Sequence, residues 1–98
     1  MKRPARVADL LPKYLERSGL AERVGQAGVL AEWPRLVGER IAAVAQADEI
    51  RRDGTLVVKV RTAPWAQELS LMTPTIIARI NAGRSVGRVN AIHWTVGR

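Results

Sequence analysis

The hydrophobic pattern of residues 54–69 changes period in mid-run, which predicts a strand, a corner and a helix in succession. Val57, Lys59 and Arg61 alternate with apolar neighbours, so the strand has one apolar face and one largely cationic face. The apolar neighbours are Leu56, Val58 and Val60. We expect the apolar face to build the core and the opposite face to present positive charge on an open sheet.

A third helix is predicted from Ala63 to about Ala82. Its apolar residues recur at intervals of three and four, as in an amphipathic helix. They are Trp65, Leu69, Met72, Ile76 and Ile80. Thr62 is suited to the N-cap and Pro64 is tolerated in the first turn. Pro74 should bend this helix or split it in two, because proline donates no backbone hydrogen bond.

The remaining segments complete an α-α-β-β-α-β order. Helices are predicted over about residues 7–18, ended by a left-handed Gly19, and over about 21–45. Strands are predicted over about 47–51 and 89–96. This order is typical of an α+β fold with helices on one face of a small three-stranded sheet. The 98 residues are expected to form one domain, with residues 1–6 frayed.

Two registers are open for the hairpin around Arg52-Asp53-Gly54. A two-residue turn would set Ile50 opposite Val57, whereas a three-residue loop with a left-handed Gly54 sets Ile50 opposite Leu56 on the apolar face. Burial of Ile50 favours the second register. It also places Arg51 and Glu49 on the open face with Lys59.

Glycine and tryptophan positions favour structural interpretations. The run Gly25-Gln26-Ala27-Gly28 matches the GxxG loop with which KH domains clamp a nucleic-acid backbone. It precedes the strands instead of lying between the helices that follow them, so we interpret it as a helix interruption. Gly38 is interpreted as a close packing contact inside a helix. Trp33 and Trp65 are interpreted as core anchors, and Trp94 as a core residue unless the register shifts by one residue.

Positive charge is concentrated in the second half of the chain. The net charge is +7; residues 1–49 hold eight basic and seven acidic side chains, and residues 50–98 hold eight and two. Such a field favours polyanions, nucleic acid first, through phosphate neutralisation and counterion release. The predicted phosphate-contacting residues are Arg51, Lys59, Arg61, Arg84 and Arg88, with His93 on the same face able to donate a hydrogen bond or to stack.

The sequence gives little support for a catalytic site or a metal site. The sequence has no Cys and one His, and no Ser-His-acid set or glycine-rich phosphate loop has workable spacing. Asp48, Glu49 and Asp53 supply too few converging oxygens for a hard cation. We expect no enzymatic activity, no metal ion and no cofactor. No apolar run reaches the ~20 residues of a membrane span, so we expect a cytoplasmic protein without membrane contact.

The order and spacing of several segments between residues 30 and 94 resemble the DciA family, bacterial proteins associated with the replicative helicase. These segments are Trp33 with Val37-Gly38, Ile41-Ala42, Asp53-Gly54-Thr55-Leu56 with Val58 and Val60, Trp65-Ala66-Gln67-Glu68-Leu69, Ile80-Asn81 and Val89 to Ile92. The sequence departs from the family pattern at two places. It ends at Arg98, where many members continue into a tail that helps to engage the helicase. It also has Ala45-Gln46 where a His-Thr pair is common in the family.

The resemblance implies a KH-like domain that binds DNA and takes part in loading or operating the hexameric DnaB-type helicase during replication, at the nucleoid. DNA would be single-stranded, with double-stranded DNA left open, and little sequence preference is expected because phosphate contacts carry little sequence information. Two alternatives remain. One is an RNA-binding or ribosome-associated KH-like module, and the other is an interaction module for an acidic protein. The sequence does not specify an oligomeric state.

Overall fold

The computed structural model describes residues 19–97. The helix predicted over about residues 7–18 and the frayed residues 1–6 lie outside this range. The helices are α1 (Leu20–Val37), α2 (Glu39–Ala42), α3 (Ala63–Leu71) and α4 (Thr73–Asn81), and the strands are β1 (Ala45–Ile50), β2 (Thr55–Val60) and β3 (Ala91–Val96).

The three strands form one mixed sheet in the order β1-β2-β3. Strand β1 runs antiparallel to β2, and β3 runs parallel to β2. The apolar residues of β2 face the helices and are buried with residues of α1, α3 and α4 in one core. The predicted α+β class, with helices on one face of a three-stranded sheet, is confirmed.

The hairpin adopts the register in which Ile50 lies opposite Leu56. Gly54 has a φ of 89°, a left-handed conformation that glycine adopts without steric cost. The predicted three-residue loop is therefore confirmed. A bulge between Ala47 and Glu49 inserts Asp48 as an extra residue on the edge strand, which keeps Glu49 opposite Val57 on the open face.

The third predicted helix is capped and divided as the sequence indicates. The Thr62 hydroxyl accepts a hydrogen bond from the Trp65 N–H at 3.3 Å. Helix α3 ends at Leu71, and α4 begins at Thr73 with Pro74 in its first turn, where a missing backbone donor costs nothing. The predicted split at Pro74 is confirmed.

Helix α1 corrects two glycine interpretations. It continues through Gly25 and Gly28 to Val37, so the GxxG run does not interrupt the helix. Gly25 instead allows the backbone of Val86 to approach, since a Cβ at Gly25 would lie 2.9 Å from the Val86 carbonyl oxygen. Gly38 has a φ of 90° with open space where its Cβ would point. It therefore separates α1 from α2 by conformation, and it is not a packing contact inside one helix.

The tryptophans divide between core and surface. Trp33 is buried, and its indole N–H donates to the Ala45 carbonyl at 2.9 Å. Trp94 lies on the helix-facing side of β3 and donates to the Thr73 hydroxyl at 2.9 Å. Trp65 is 43% exposed. Its prediction as a core anchor is wrong, because it lies in the first turn of α3, while the buried residue of that helix is Leu69.

Candidate nucleic-acid interface

The open face of the sheet is defined by the residues that alternate with the core residues of β2. Lys59 lies at its centre, between Gln46 of β1 and Thr95 of β3. One pair further along, Val57 lies between Glu49 and His93. Successive strand residues point to opposite sides, so these six side chains share the side that α1 to α4 do not cover. Val57, at the middle of this side, is only 6% exposed among its neighbours. His93 and Lys59 are therefore on the same face, as the sequence predicts.

The aliphatic stem of Lys59 packs beside Gly97, and the side chain is exposed to solvent. Its stem lies beside Gly97, where an added Cβ would be 3.2 Å from the Lys59 Cγ. Arg61 follows the strand, and its backbone N–H donates to the Val44 carbonyl at 2.9 Å. Both side chains are exposed, and no ion pair within residues 19–97 engages either of them. This end of the sheet therefore keeps two cations available to a ligand.

Arg51 and Arg88 lie at the other end of the sheet. Arg51 enters the hairpin, and the Arg88 carbonyl lies 3.3 Å from the position of a Cβ on Gly54. Since β2 has six residues, this end lies roughly 17–20 Å from Arg61. The predicted cations thus form two groups and not one continuous cluster.

Arg84 is largely occupied by contacts within the protein. Its side chain is 17% exposed and its Nη2 lies 3.6 Å from a Glu32 carboxylate oxygen. Its Nε donates to the Ile80 carbonyl at 3.1 Å and its Nη1 to the Gly25 carbonyl at 3.4 Å. These bonds satisfy a carbonyl at the C-terminus of α4 and connect α4 to α1, which leaves little of the guanidinium for a ligand.

Arg88 is exposed but also bonded. Its Nη1 donates to the Arg84 carbonyl at 2.9 Å and to the Asn81 carbonyl at 3.4 Å. Asn81 in turn exchanges two hydrogen bonds of 2.8 Å with the backbone of Val89. This network fixes the loop that leads into β3, so Arg88 presents its remaining N–H groups from a defined position.

Asp53 stabilises the hairpin turn. Its carboxylate accepts a hydrogen bond from the Thr55 backbone N–H at 2.9 Å. This bond, with a smaller contribution from the charge of Arg51, lowers the pKa of Asp53 below its ordinary value. The Asp53 carboxylate therefore stabilises the turn through this bond.

Sequence reasoning missed three surface residues. Arg23 and Arg52 lie beside Arg51 along a groove between α1 and the hairpin. The helical position of Arg23 does not indicate a neighbour some thirty residues later, so no local signal could have found it. Trp65, together with Pro64 and Glu68, forms a separate exposed site on α3.

The described residues contain no group of three or more His, Asp or Glu side chains that could hold a metal ion. Across the same residues, no helix is long and apolar enough to span a membrane. Residues 19–97 thus form a small α+β fold in which the described helices leave one face of the sheet uncovered.

The family model described as "Dna[CI] antecedent, DciA" matches residues 6–93. A UPF0232 protein of Rhodococcus jostii is 35% identical over 80 residues, which cover 82% of this chain and 42% of that protein. A UPF0232 protein of Streptomyces coelicolor is 28% identical over 90 residues, or 91% of this chain and 47% of that protein. The chain spans about half the length of the curated relatives that it matches. It belongs to the DciA family, and the resemblance seen in the sequence is confirmed.

Proposed function

We propose that this chain is a non-catalytic DNA-binding accessory factor that helps to load or operate the bacterial replicative helicase of the DnaB type. The observation that carries the DNA-binding part is the pair Lys59, on the open sheet face, and Arg61, which directly follows β2. Both are exposed and neither makes an ion pair among the described residues. Membership of the DciA family supports the helicase part. Such a factor would work in the cytoplasm, at the nucleoid.

The open face suits a nucleic-acid backbone better than base edges. Lys59 is a point charge on a flexible stem, which neutralises a phosphate but does not read a base. His93 and Thr95 add hydrogen-bonding groups on the neighbouring strand. The strand would be held with little sequence preference, and its affinity would fall steeply with salt.

The test compares two double variants of equal charge. Lys59→Ala/Arg61→Ala removes the exposed cation on the open face and the exposed cation that directly follows β2. Arg35→Ala/Arg79→Ala removes two exposed cations from the helical layer and serves as the control. Binding of a fluorescein-labelled (dT)15 is measured by anisotropy between 50 and 300 mM salt. The melting temperature of each variant is checked by circular dichroism.

The expected effect follows from counterion release. Each phosphate contact to a single strand contributes about 0.7 to the slope of log K against log salt, so losing two lowers the slope by about 1.4. At about 0.1 M salt this corresponds to an affinity loss of roughly 25-fold. The control should change affinity by about twofold or less, since its charges act only through the screened field. Equal behaviour of the two variants would refute the proposal.

RNA binding through the same face is distinguished by competition. Unlabelled single-stranded DNA and RNA of equal length are titrated against the labelled (dT)15 complex. If the protein works on replicating DNA, unlabelled DNA should displace the labelled (dT)15 at least as well as RNA does. A clear preference for RNA would favour an RNA-binding or ribosome-associated module.

Exposed Trp65 favours a second activity as a protein-interaction module. Tryptophan is enriched at interface hot spots, because its large ring buries much area and its N–H supplies a hydrogen bond. In the first turn of α3, Trp65 is 43% exposed beside Pro64 and Glu68. We assign the helicase contact to this site.

Co-purification with the host's hexameric helicase, with and without an oligonucleotide, tests this assignment. Trp65→Ala should weaken capture of the helicase and leave (dT)15 affinity unchanged, whereas Lys59→Ala/Arg61→Ala should do the reverse. Undiminished capture by a folded Trp65→Ala variant would move the contact elsewhere.

A further inference from the structure

A groove of about 410 Å³ runs between α1 and the hairpin at the end of β1. It is lined by Arg23, Gln26, Ala27 and Leu30 of α1 and by Ile50, Arg51 and Arg52 of the hairpin. The Gln26 amide donates to the Arg51 carbonyl at 3.4 Å. The hairpin is thereby attached to α1, so the two walls of the groove keep a defined spacing.

Three arginines line this groove without acidic partners. Within residues 19–97, no ion pair or hydrogen bond engages the side chain of Arg23, Arg51 or Arg52, and no acidic residue lines the groove. Asp53 follows Arg52 directly, but its carboxylate accepts the hydrogen bond from Thr55 inside the turn. Folding therefore brings three basic residues to one groove whose lining has no carboxylate. The Asp53 carboxylate, which feels the charge of Arg51, is bonded to Thr55, so the groove favours an anionic ligand.

The floor of the groove is apolar. Ala27, Leu30 and Ile50 supply it, and both larger side chains are partly buried against the core. Guanidinium groups around an apolar surface match a nucleotide, because they bind phosphate oxygens in pairs while a base packs flat against the aliphatic floor. A double helix offers its phosphates but keeps its bases stacked inside, so this combination suits a single strand.

We propose that this groove binds one nucleotide of a single strand, with phosphates held by Arg23, Arg51 and Arg52 and the base packed on Leu30 and Ile50. The proposal rests on the proposed function and deepens it, since it adds a second contact for the same strand. The distance from Lys59 to Thr55 is roughly 13 Å along β2, about four stacked nucleotides at 3.4 Å each. A strand of (dT)15 is therefore long enough to occupy both the open face and the groove.

Affinity measurements test the phosphate part. Arg23→Ala/Arg52→Ala leaves Arg51 and the Asp53 turn intact, and Arg35→Ala/Arg79→Ala is again the control with equal loss of charge. Removing two phosphate contacts should weaken (dT)15 binding by roughly 25-fold at about 0.1 M salt and lower the salt slope by about 1.4. Should the alanine variant not fold, Arg23→Gln/Arg52→Gln keeps the stems that cover the groove and removes the charges.

Methyl NMR tests the base part on the wild-type chain. Resonances of Leu30 and Ile50 should shift on addition of (dT)15 and stay in place with an abasic strand of equal length and charge. The exposed Leu71 on α3 is the internal control. Shifts that are the same for both strands, or absent for both, overturn the base contact.

The proposals for the groove and for the open face can be refuted separately. If Arg23→Ala/Arg52→Ala binds like the control while Lys59→Ala/Arg61→Ala is weakened, the groove is refuted and the open face remains. If only Arg23→Ala/Arg52→Ala is weakened, the groove carries the binding and the open-face proposal is refuted. If the groove variant weakens duplex DNA as much as (dT)15, the assignment to a single strand is wrong.

Discussion

The two glycines of Gly25-Gln26-Ala27-Gly28 should respond to alanine substitution with opposite signs. Both lie inside α1, but their surroundings differ. A Cβ at Gly25 would lie 2.9 Å from the carbonyl carbon and oxygen of Val86. A Cβ at Gly28 would meet only the Arg84 Nη1 at 3.8 Å and a Glu32 oxygen at 3.9 Å. Gly25 is therefore required by packing and Gly28 is not.

The magnitudes follow from helix propensity and overpacking. Replacing a helical glycine by alanine gains about 0.5–1 kcal/mol, because less backbone entropy is lost on folding. Gly28→Ala should realise this gain, since 3.8 Å is ordinary van der Waals contact. Gly25→Ala adds a clash with a backbone that cannot rotate away, at about 1–3 kcal/mol for overpacking. Its net effect should be a loss of up to about 2 kcal/mol.

Thermal and urea unfolding, followed by far-UV circular dichroism, measure both effects. For a domain of this size, 1 kcal/mol shifts the melting temperature by about 4–8 °C. Gly28→Ala should therefore melt several degrees above the wild type and Gly25→Ala below it. A shift of the same sign in both variants would refute the packing argument. A folded Gly28→Ala variant that has lost (dT)15 affinity would instead restore the interpretation of the GxxG run as a phosphate clamp.

Two further predictions concern stability. Trp33→Ala should cost about 3–5 kcal/mol, because it empties a buried site, and Trp33→Phe should cost about 1–2 kcal/mol by leaving the Ala45 carbonyl without its donor; urea unfolding measures both, and equal stability of Trp33→Phe and wild type would contradict the role of the 2.9 Å bond. The lowered pKa of Asp53 means that its contribution to stability is present above the ordinary pKa of 3.8 and is lost as the pH falls through the lower folded value. Asp53→Ala should therefore melt below the wild type at pH 7, with the two melting curves converging in acid, whereas a difference that is independent of pH would refute the assignment.

Local chemistry made the hairpin and the α3–α4 corner predictable. The register of Ile50 opposite Leu56 followed from burial on one face and from a glycine able to take positive φ. The division of the third helix followed from Pro74, which fits a first turn but not a helix interior. In each case residues close in sequence decide the structure, so no knowledge of the tertiary contacts was needed.

Long-range packing explains what sequence reasoning missed. The pattern around Trp65 has helical period, yet in the nine residues of α3 Leu69 alone is buried, and the Trp65 ring in the first turn stays half exposed. The close approach of Val86 to Gly25 joins segments about sixty residues apart. Neither the hydrophobic period nor a local motif indicates such a long-range contact, so sequence reasoning interprets Gly25 as a helix interruption.

The arginines show why net charge predicts a class of ligand more reliably than it predicts a site. Each guanidinium contributes one charge to the sequence total, but the Ile80 and Asn81 carbonyls at the end of α4 accept bonds from Arg84 and Arg88, respectively. Those bonds satisfy groups that a helix C-terminus leaves unpaired, so part of the cationic surface stabilises the fold. Arg23 and Arg52 make no such bonds within the described residues. Interaction with a polyanion should therefore depend most on cations that the fold leaves unpaired, whether or not they adjoin the cationic strand.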